Sequence, residues 1–216
     1  MSIDDLMEQV YRYIEQISDR SIRRRVRRIV ESINRKLYGY HPLTLTDSPA
    51  GEKIHHEYMR GLLEHTIASI EIGLALSDLI EKHYRGKVDR DTVISALILH
   101  DLYKVYCYEK RGESFRRSEL GLFLDHHTLI VSELIRRGFP IKLVHAVLAA
   151  HGKYGPSTPK TVEALIVHLA DYVDSTLASE LTKGAQLAME RCGIKPPETI
   201  TVTDALRILE ELGRSG

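Results

Sequence analysis

Cysteine is scarce in this chain: Cys107 and Cys192 are the only two, and no motif spacing relates them. That argues against a disulfide framework or a cysteine-built zinc site and points to a reducing compartment. Net charge is also missing. Thirty Lys and Arg offset thirty Asp and Glu, so no global field draws the molecule to nucleic acid or membrane, and any such attraction falls to a local patch. No stretch approaches the roughly 18 uninterrupted apolar residues of a membrane span. The N-terminal MSIDDLMEQVYRYIEQ is acidic and amphipathic, without the apolar core of a signal peptide. A cytoplasmic protein with no membrane association is the expectation. What is present, 43% hydrophobic and 28% charged residues over 216 positions, suits a globular chain able to bury a substantial core as one large domain or two small ones.

The apolar residues recur at helical rather than strand spacing. Leu6, Val10, Tyr13, Ile14 and Ile17 mark a first amphipathic helix, and Ile22, Val26, Ile29, Ile33 and Leu37 a second. Residues 39–53 carry two prolines, two glycines, Asp47 and Ser48, and read as a loop. Helices are expected over about 58–83, from Asp89 and Asp91 to near His100, over 125–137 and 140–151 with a break at Gly138 and Pro140, over 161–181, and over 203–212. Residues 103–117 read equally as a short hairpin or a loop. The expected fold is all-α: a hairpin at 1–50, a main body at 51–181 and a helical extension at 182–216.

Chemistry concentrates where those helices end. His100-Asp101 closes the apolar run 93–99, and Lys104 follows one helical turn later. Adjacent imidazole and carboxylate can reach one divalent ion, and the lysine can meet a bound phosphate. His65 shares a face with Ala68, Ser69, Ile72, Leu76 and Leu79, and His151 continues the stripe of Val144, Val147 and Leu148. Taken singly, each reads as a hydrogen-bonded core histidine. Asp171 is harder to reconcile with an ordinary core, because an uncompensated carboxylate in the apolar string ALIVHLADYVDS would cost roughly several kcal/mol. His168 and Asp174, three residues to either side, extend its polar face. At the doublet His126-His127, His127 shares a face with Ile130, Val131 and Leu134 and reads as the inward donor. His126 points toward Glu133 and is the alternative. Jointly, these groups call for one or two cations. Imidazole and carboxylate without thiolate suit Mn, Fe, Ni, Co, Zn or Mg.

In order and setting, His65, His100-Asp101 and Asp171 resemble the H…HD…D signature of the HD-domain metal-dependent phosphohydrolases, and His127 with His151 resembles the six-ligand pattern of binuclear members. The strings IHHEYMRGLLEHT (54–66), ALILHDLYK (96–104), AAHGKYG (149–155) and EALIVHLADYVDS (163–175) are similar to the HD domain of bacterial 3′-to-5′ exoribonucleases that carry an OB fold ahead of it. The resemblance spans about residues 54–180. It implies a helical HD bundle that hydrolyses a nucleotide or nucleic-acid phosphate ester through metal-activated water. His65, His100, Asp101 and Asp171 would hold one ion, Asp101 would bridge to a second, and His127 and His151 would complete that second site. Asp101 and Lys104 would be the catalytic pair, with Lys104 on the phosphate. His55 and His56 would line the substrate cleft, unless they are two solvated histidines before a helix. His168 or Asp174 would assist proton transfer or orient ligands beside the substrate.

The chain departs from the family pattern in places. Tyr103 stands where many members have glycine, which predicts a bulkier turn and less substrate space. A helical hairpin, not an OB fold, precedes the HD segment, so processive RNA degradation is in question. Lys104 occupies the position at which the nucleotidase branch usually has glutamate, which weighs against a 5′-nucleotidase. The rival readings are a 5′-nucleotidase or cyclic-nucleotide phosphodiesterase, and a regulatory HD module that binds nucleotide or RNA without turnover. Arg20, Arg23, Arg24, Arg25, Arg27 and Arg28 could track an RNA backbone. With Ile22, Val26 and Ile29 between them, a solvated helix face paired with nearby acids is favoured. The sequence leaves open whether the protein is an oligomer.

Overall fold

The computed structural model describes residues 3–51, 56–112 and 114–213. Helices α1 (Ile3–Glu15) and α2 (Arg20–Ser32) form the expected hairpin. Their stripes, Leu6, Val10 and Ile14 on one and Ile22, Val26 and Ile29 on the other, are buried. Asp19 caps α2 by accepting from the Ser21 and Ile22 amides. The amides of Ser18 and Asp19 in turn donate to Asp91 at 2.7 and 2.8 Å. α2 ends at Ser32, short of Leu37, because the chain reverses through Tyr38 (φ 50°) and Gly39 (φ 84°), with Leu37 and Tyr40 exchanging backbone hydrogen bonds.

The main body follows as α3 (Gly61–His83), α4 (Arg90–Leu99) and the single turn α5 (Lys104–Cys107). The ambiguous segment resolves into an antiparallel hairpin, β1 (Tyr108–Arg111) with β2 (Ser114–Arg117). Then come α6 (Glu119–Phe123), which the sequence reading did not anticipate, α7 (His126–Arg136) and α8 (Ile141–Leu148). The break between α7 and α8 is where Gly138 and Pro140 placed it: Gly138 has φ 68°, and the Phe139 amide reaches back to the Leu134 carbonyl. A long α9 (Val162–Arg191) and α10 (Val202–Gly213) complete the chain. The helix expected to end near Leu181 therefore continues to Arg191. α10 packs on its added turns, where Ala185, Ile200 and Ala205 form a small second core with Leu181, Met189, Ile208 and Leu209.

α4 is the axis of the molecule. Every residue from Thr92 to Leu99 is buried, as expected of a helix apolar on all sides, and α1, α2, α3, α8 and α9 pack around it. α3 can approach because position 73 is glycine: a Cβ there would lie 2.5 Å from Leu97 Cδ1 and 3.3 Å from Val93 Cγ1. The first half of α9 lies along α3 and α4, and the C-terminal end of α4 is thus enclosed by α3, α8 and α9. No described helix is long and apolar enough to cross a membrane.

Gly73→Val tests this close approach. Overpacking the α3–α4 contact should cost about 1–3 kcal/mol, read as a lower urea midpoint with an unchanged slope.

Candidate metal centre

The buried end of α4 delivers His100 and Asp101, 0% and 1% exposed. His100 Nδ1 lies 2.9 Å from the Leu97 carbonyl. A carbonyl only accepts, so Nδ1 carries a proton, which leaves Nε2 as the ring nitrogen open to a ligand. That atom faces Asp101 Oδ2 at 3.6 Å and Asp171 Oδ1 at 3.7 Å. α3 contributes His65 from its second turn, with Nε2 3.2 Å from Asp171 Oδ1 and 3.5 Å from Asp101 Oδ2. α9 contributes Asp171. His65, His100, Asp101 and Asp171 each offer a donor atom within 4.8 Å of the others.

A second group adjoins the first. His126 and His127 open α7, and His151 follows α8; their donor atoms also lie within 4.8 Å of one another. Asp101 Oδ1 faces this group, 3.2 Å from His126 Nε2 and 3.6 Å from His151 Nε2. Asp171 divides in the same way, with Oδ1 toward His65 and His100 and Oδ2 3.6 Å from His151 Nε2. Each carboxylate therefore turns one oxygen to each group.

The electrostatics suit cations. Burial alone would raise both carboxyls, but Lys104, His100 and His126 hold Asp101, and His100 and His65 hold Asp171, well below the usual carboxylate range. Burial pushes His126 down, His127 to about 4 and His151 to about 3, so these rings are neutral at pH 7 and keep a lone pair for ligation. Burial opposes a charge on His65, but hydrogen bonds to Asp171 and Asp174 outweigh it and raise its pKa to about 10. The metal-free centre thus holds a proton that an ion would displace. His100 Nε2, Asp101 Oδ1, His126 Nε2 and His127 Nε2 are buried with no hydrogen-bond partner among the described residues. Unpartnered buried polar atoms in such number are rare in folded proteins. The donor set fits divalent metal.

A cavity of about 550 Å³ opens onto His126, His127, His151 and Asp171. Lys104 lines it, yet its ammonium is already 2.5 Å from both Asp101 Oδ2 and the Ala50 carbonyl. Tyr108, Arg117, Asp125, Tyr154 and Tyr172 also line the cavity. The sequence reading missed these residues, because only the β-hairpin, the α7 cap and the turn after His151 bring them together.

Several expectations need correction. His126 faces Asp101, not Glu133, which is paired with Arg136 and Arg137; both members of the doublet reach the centre. His151 does not end α8, which stops at Leu148. It precedes a 3₁₀ turn, Gly152–Tyr154. Gly152 (φ 53°) is needed there because a Cβ would meet the His168 ring at 2.4 Å. His168 lines the cavity and donates to the Ala150 carbonyl at 2.8 Å, bracing that turn. Tyr103 is absent from the cavity walls and is buried in the core against Tyr106, so it does not narrow the substrate space. His56 and Asp174 lie behind His65 and outside this cavity, and His55 lies outside the described residues.

Mn²⁺ should stabilise the EDTA-stripped protein. A free concentration of 100 times Kd adds about 2.7 kcal/mol per site, seen as a rise in Tm that EDTA reverses and that Ca²⁺, which prefers six to eight oxygen ligands, reproduces poorly.

The family model of the HD domain matches residues 62–176. The chain is 33% identical over 217 residues to the dihydroneopterin 2′,3′-cyclic phosphate phosphodiesterase of Methanocaldococcus jannaschii, covering 97% of this chain and 85% of the relative. It is 30% identical to the 3′-5′ exoribonuclease YhaM of Shouchella clausii and to that of Bacillus subtilis, covering 81% of this chain and 54% of each relative. The chain spans about half the length of those exoribonucleases. No solved structure matches it. The matched segment contains His65, His100-Asp101, His126, His127, His151 and Asp171, and the chain belongs to the HD-domain metal-dependent phosphohydrolases.

Proposed function

We propose that the protein is a binuclear phosphodiesterase for a small, ring-bearing phosphodiester of the 2′,3′-cyclic nucleotide type. The reading is carried by one observation: a cavity of about 550 Å³ is lined by His126, His127, His151, Asp171 and Lys104, and Asp171 also faces the buried His65 and His100. That volume is typical of a small-molecule site. The phosphodiesterase relative, matched over most of its own length, acts by name on a substrate of this kind.

His65 and His100 would hold one ion, and His126, His127 and His151 the other, with Asp101 and Asp171 serving both. Bound ions polarise phosphoryl oxygens and lower the pKa of a coordinated water. The remaining work belongs to the chain. Lys104 has three N–H donors; two are taken by Asp101 and Ala50, and the third is free for a non-bridging phosphate oxygen. Burial disfavours its charge, but Asp101 more than compensates and raises its pKa, so it meets phosphate as a full cation. Arg117 lines the same cavity, while Tyr154 and Tyr172, both exposed, offer faces for a heteroaromatic ring.

Little favours a dedicated RNA track. Arg23 donates to the Ile17 carbonyl, Arg25 to that of Gly138 while lying over Phe139, and Arg27 pairs with Glu15 and Glu31. Half of the arginine run thus anchors the hairpin. A cytoplasmic setting fits the free thiols Cys107 and Cys192.

The test is a Mn²⁺-supplemented panel of bis(p-nitrophenyl) phosphate, 2′,3′-cyclic nucleotides, 5′-nucleotides and RNA oligomers. Turnover of the first two is expected. Asp101→Ala should fall to background with reduced metal content and unchanged helicity. Lys104→Met should lower kcat/KM roughly 10²-fold with metal retained. Turnover confined to 5′-nucleotides or to RNA oligomers would overturn the cyclic-phosphodiester reading, and none with any substrate would favour a binding module.

A further inference from the structure

Asp174 and His56 have no place in the chemistry above, yet both are buried and one turns directly on the other. Asp174 lies one helical turn after Asp171 on α9, on the far side of His65 from the metal groups. Its Oδ2 sits 2.6 Å from His65 Nδ1 and 3.0 Å from His56 Nε2. A carboxylate only accepts, so both ring nitrogens donate to it. With Nδ1 of His65 committed in this way, Nε2 is the atom turned to Asp101 and Asp171.

His56 is held on its other side as well. Its Nδ1 is 2.7 Å from the Tyr58 hydroxyl, which donates to Glu64 Oε2 at 2.8 Å. Its backbone adopts φ 49°, a conformation that costs a non-glycine residue roughly 1–3 kcal/mol and persists only where the surroundings enforce it. The enforcement is visible. The His56 carbonyl accepts from the Ala50 and Tyr58 amides and passes so close to Gly61 that a Cβ there would lie 2.0 Å away. Ala50, tied to His56 through its N–H, accepts from Lys104 through its carbonyl. One backbone link therefore joins the back of His65 to the lysine at the front of the site.

We infer that Asp174 and His56 are positioning residues that fix the tautomer and orientation of His65 and strengthen it as a metal ligand. The inference rests on His65 being a ligand. Partners that hydrogen-bond a ligating histidine in this way typically contribute 10–100-fold in metal affinity.

The test is isothermal titration of Mn²⁺ into the metal-stripped full-length wild type and its His65→Ala, Asp174→Asn, His56→Ala and His56→Gln variants, with the metal-free Tm of each as a control for folding. Asp174→Asn, which keeps the shape and loses the charge, should weaken binding roughly 10–100-fold while still unfolding in one cooperative metal-free transition, at a lower Tm because the buried His65 loses its charged partner. His56→Ala should weaken it less, and His56→Gln, whose amide can still donate to Asp174, should restore most of the loss. If His65→Ala loses Mn²⁺ while Asp174→Asn and His56→Ala bind as wild type, the positioning role is wrong and the ligand assignment stands. If His65→Ala binds as wild type, or the wild type binds no Mn²⁺, the ligand assignment fails and the positioning role with it.

Discussion

Asp101 and Asp171 are ionised neighbours in a region from which water is almost wholly excluded, 1% and 5% exposed. Unpaired charges there would cost more than most proteins have in total stability. The architecture answers this pair. α4 carries Asp101 into the interior, α9 sets Asp171 beside it, and Lys104, His65, His100, His126 and His151 supply positive charge or ring nitrogens from five other points of the chain. Four of these have an anchor of their own: the Leu97 carbonyl for His100, Ala50 for Lys104, Asp174 for His65 and, for His126, the Asp125 cap at the start of α7. Packing around α4 and the electrostatics at its end are thus one problem, because α3 and α9 cannot close on α4 without bringing His65 and Asp171 against His100 and Asp101.

Much of this could be read from residue order. His65, His100, Asp101 and Asp171 were legible because each interrupts an otherwise apolar helix, where a polar group has to be explained. The His126-His127 doublet was not separable by periodicity. Both residues occupy the first turn of α7, where side chains lean back past the helix end and the inward and outward faces are not yet distinct. His56 was mistaken for a cleft residue because its position depends on a left-handed backbone and on Gly61, neither of which alters the hydrophobic pattern. α9 was read too short because Thr182, Lys183 and Gly184 look like a terminus. They stay helical because α10 packs there, with Leu209 3.7 Å from the position a Cβ would take at Gly184.

Tyr103 shows the limit of carrying a family pattern over by position. Glycine in the HD-x-Gly-Lys turn suggests a need for space, and a tyrosine there suggests obstruction. Here its backbone is unstrained (φ −81°), and the ring turns inward to Tyr106, whose hydroxyl donates to the Ile33 and Arg35 carbonyls at the end of α2. Tyr103 thus packs behind the residue that fastens the hairpin to the body, and it does not line the cleft.

The groups that meet at the centre are far apart along the chain: His65 and His56 are separated from Asp174 by 109 and 118 residues. During synthesis the N-terminal part emerges first, and until α9 has been made His65 has neither Asp171 nor Asp174 to face. Closing so long a loop must precede its reward, so the complete donor set arises only in the last stage of folding. An ion held by these groups would therefore meet a chain that has already closed around its site, and would seal the fold rather than seed it.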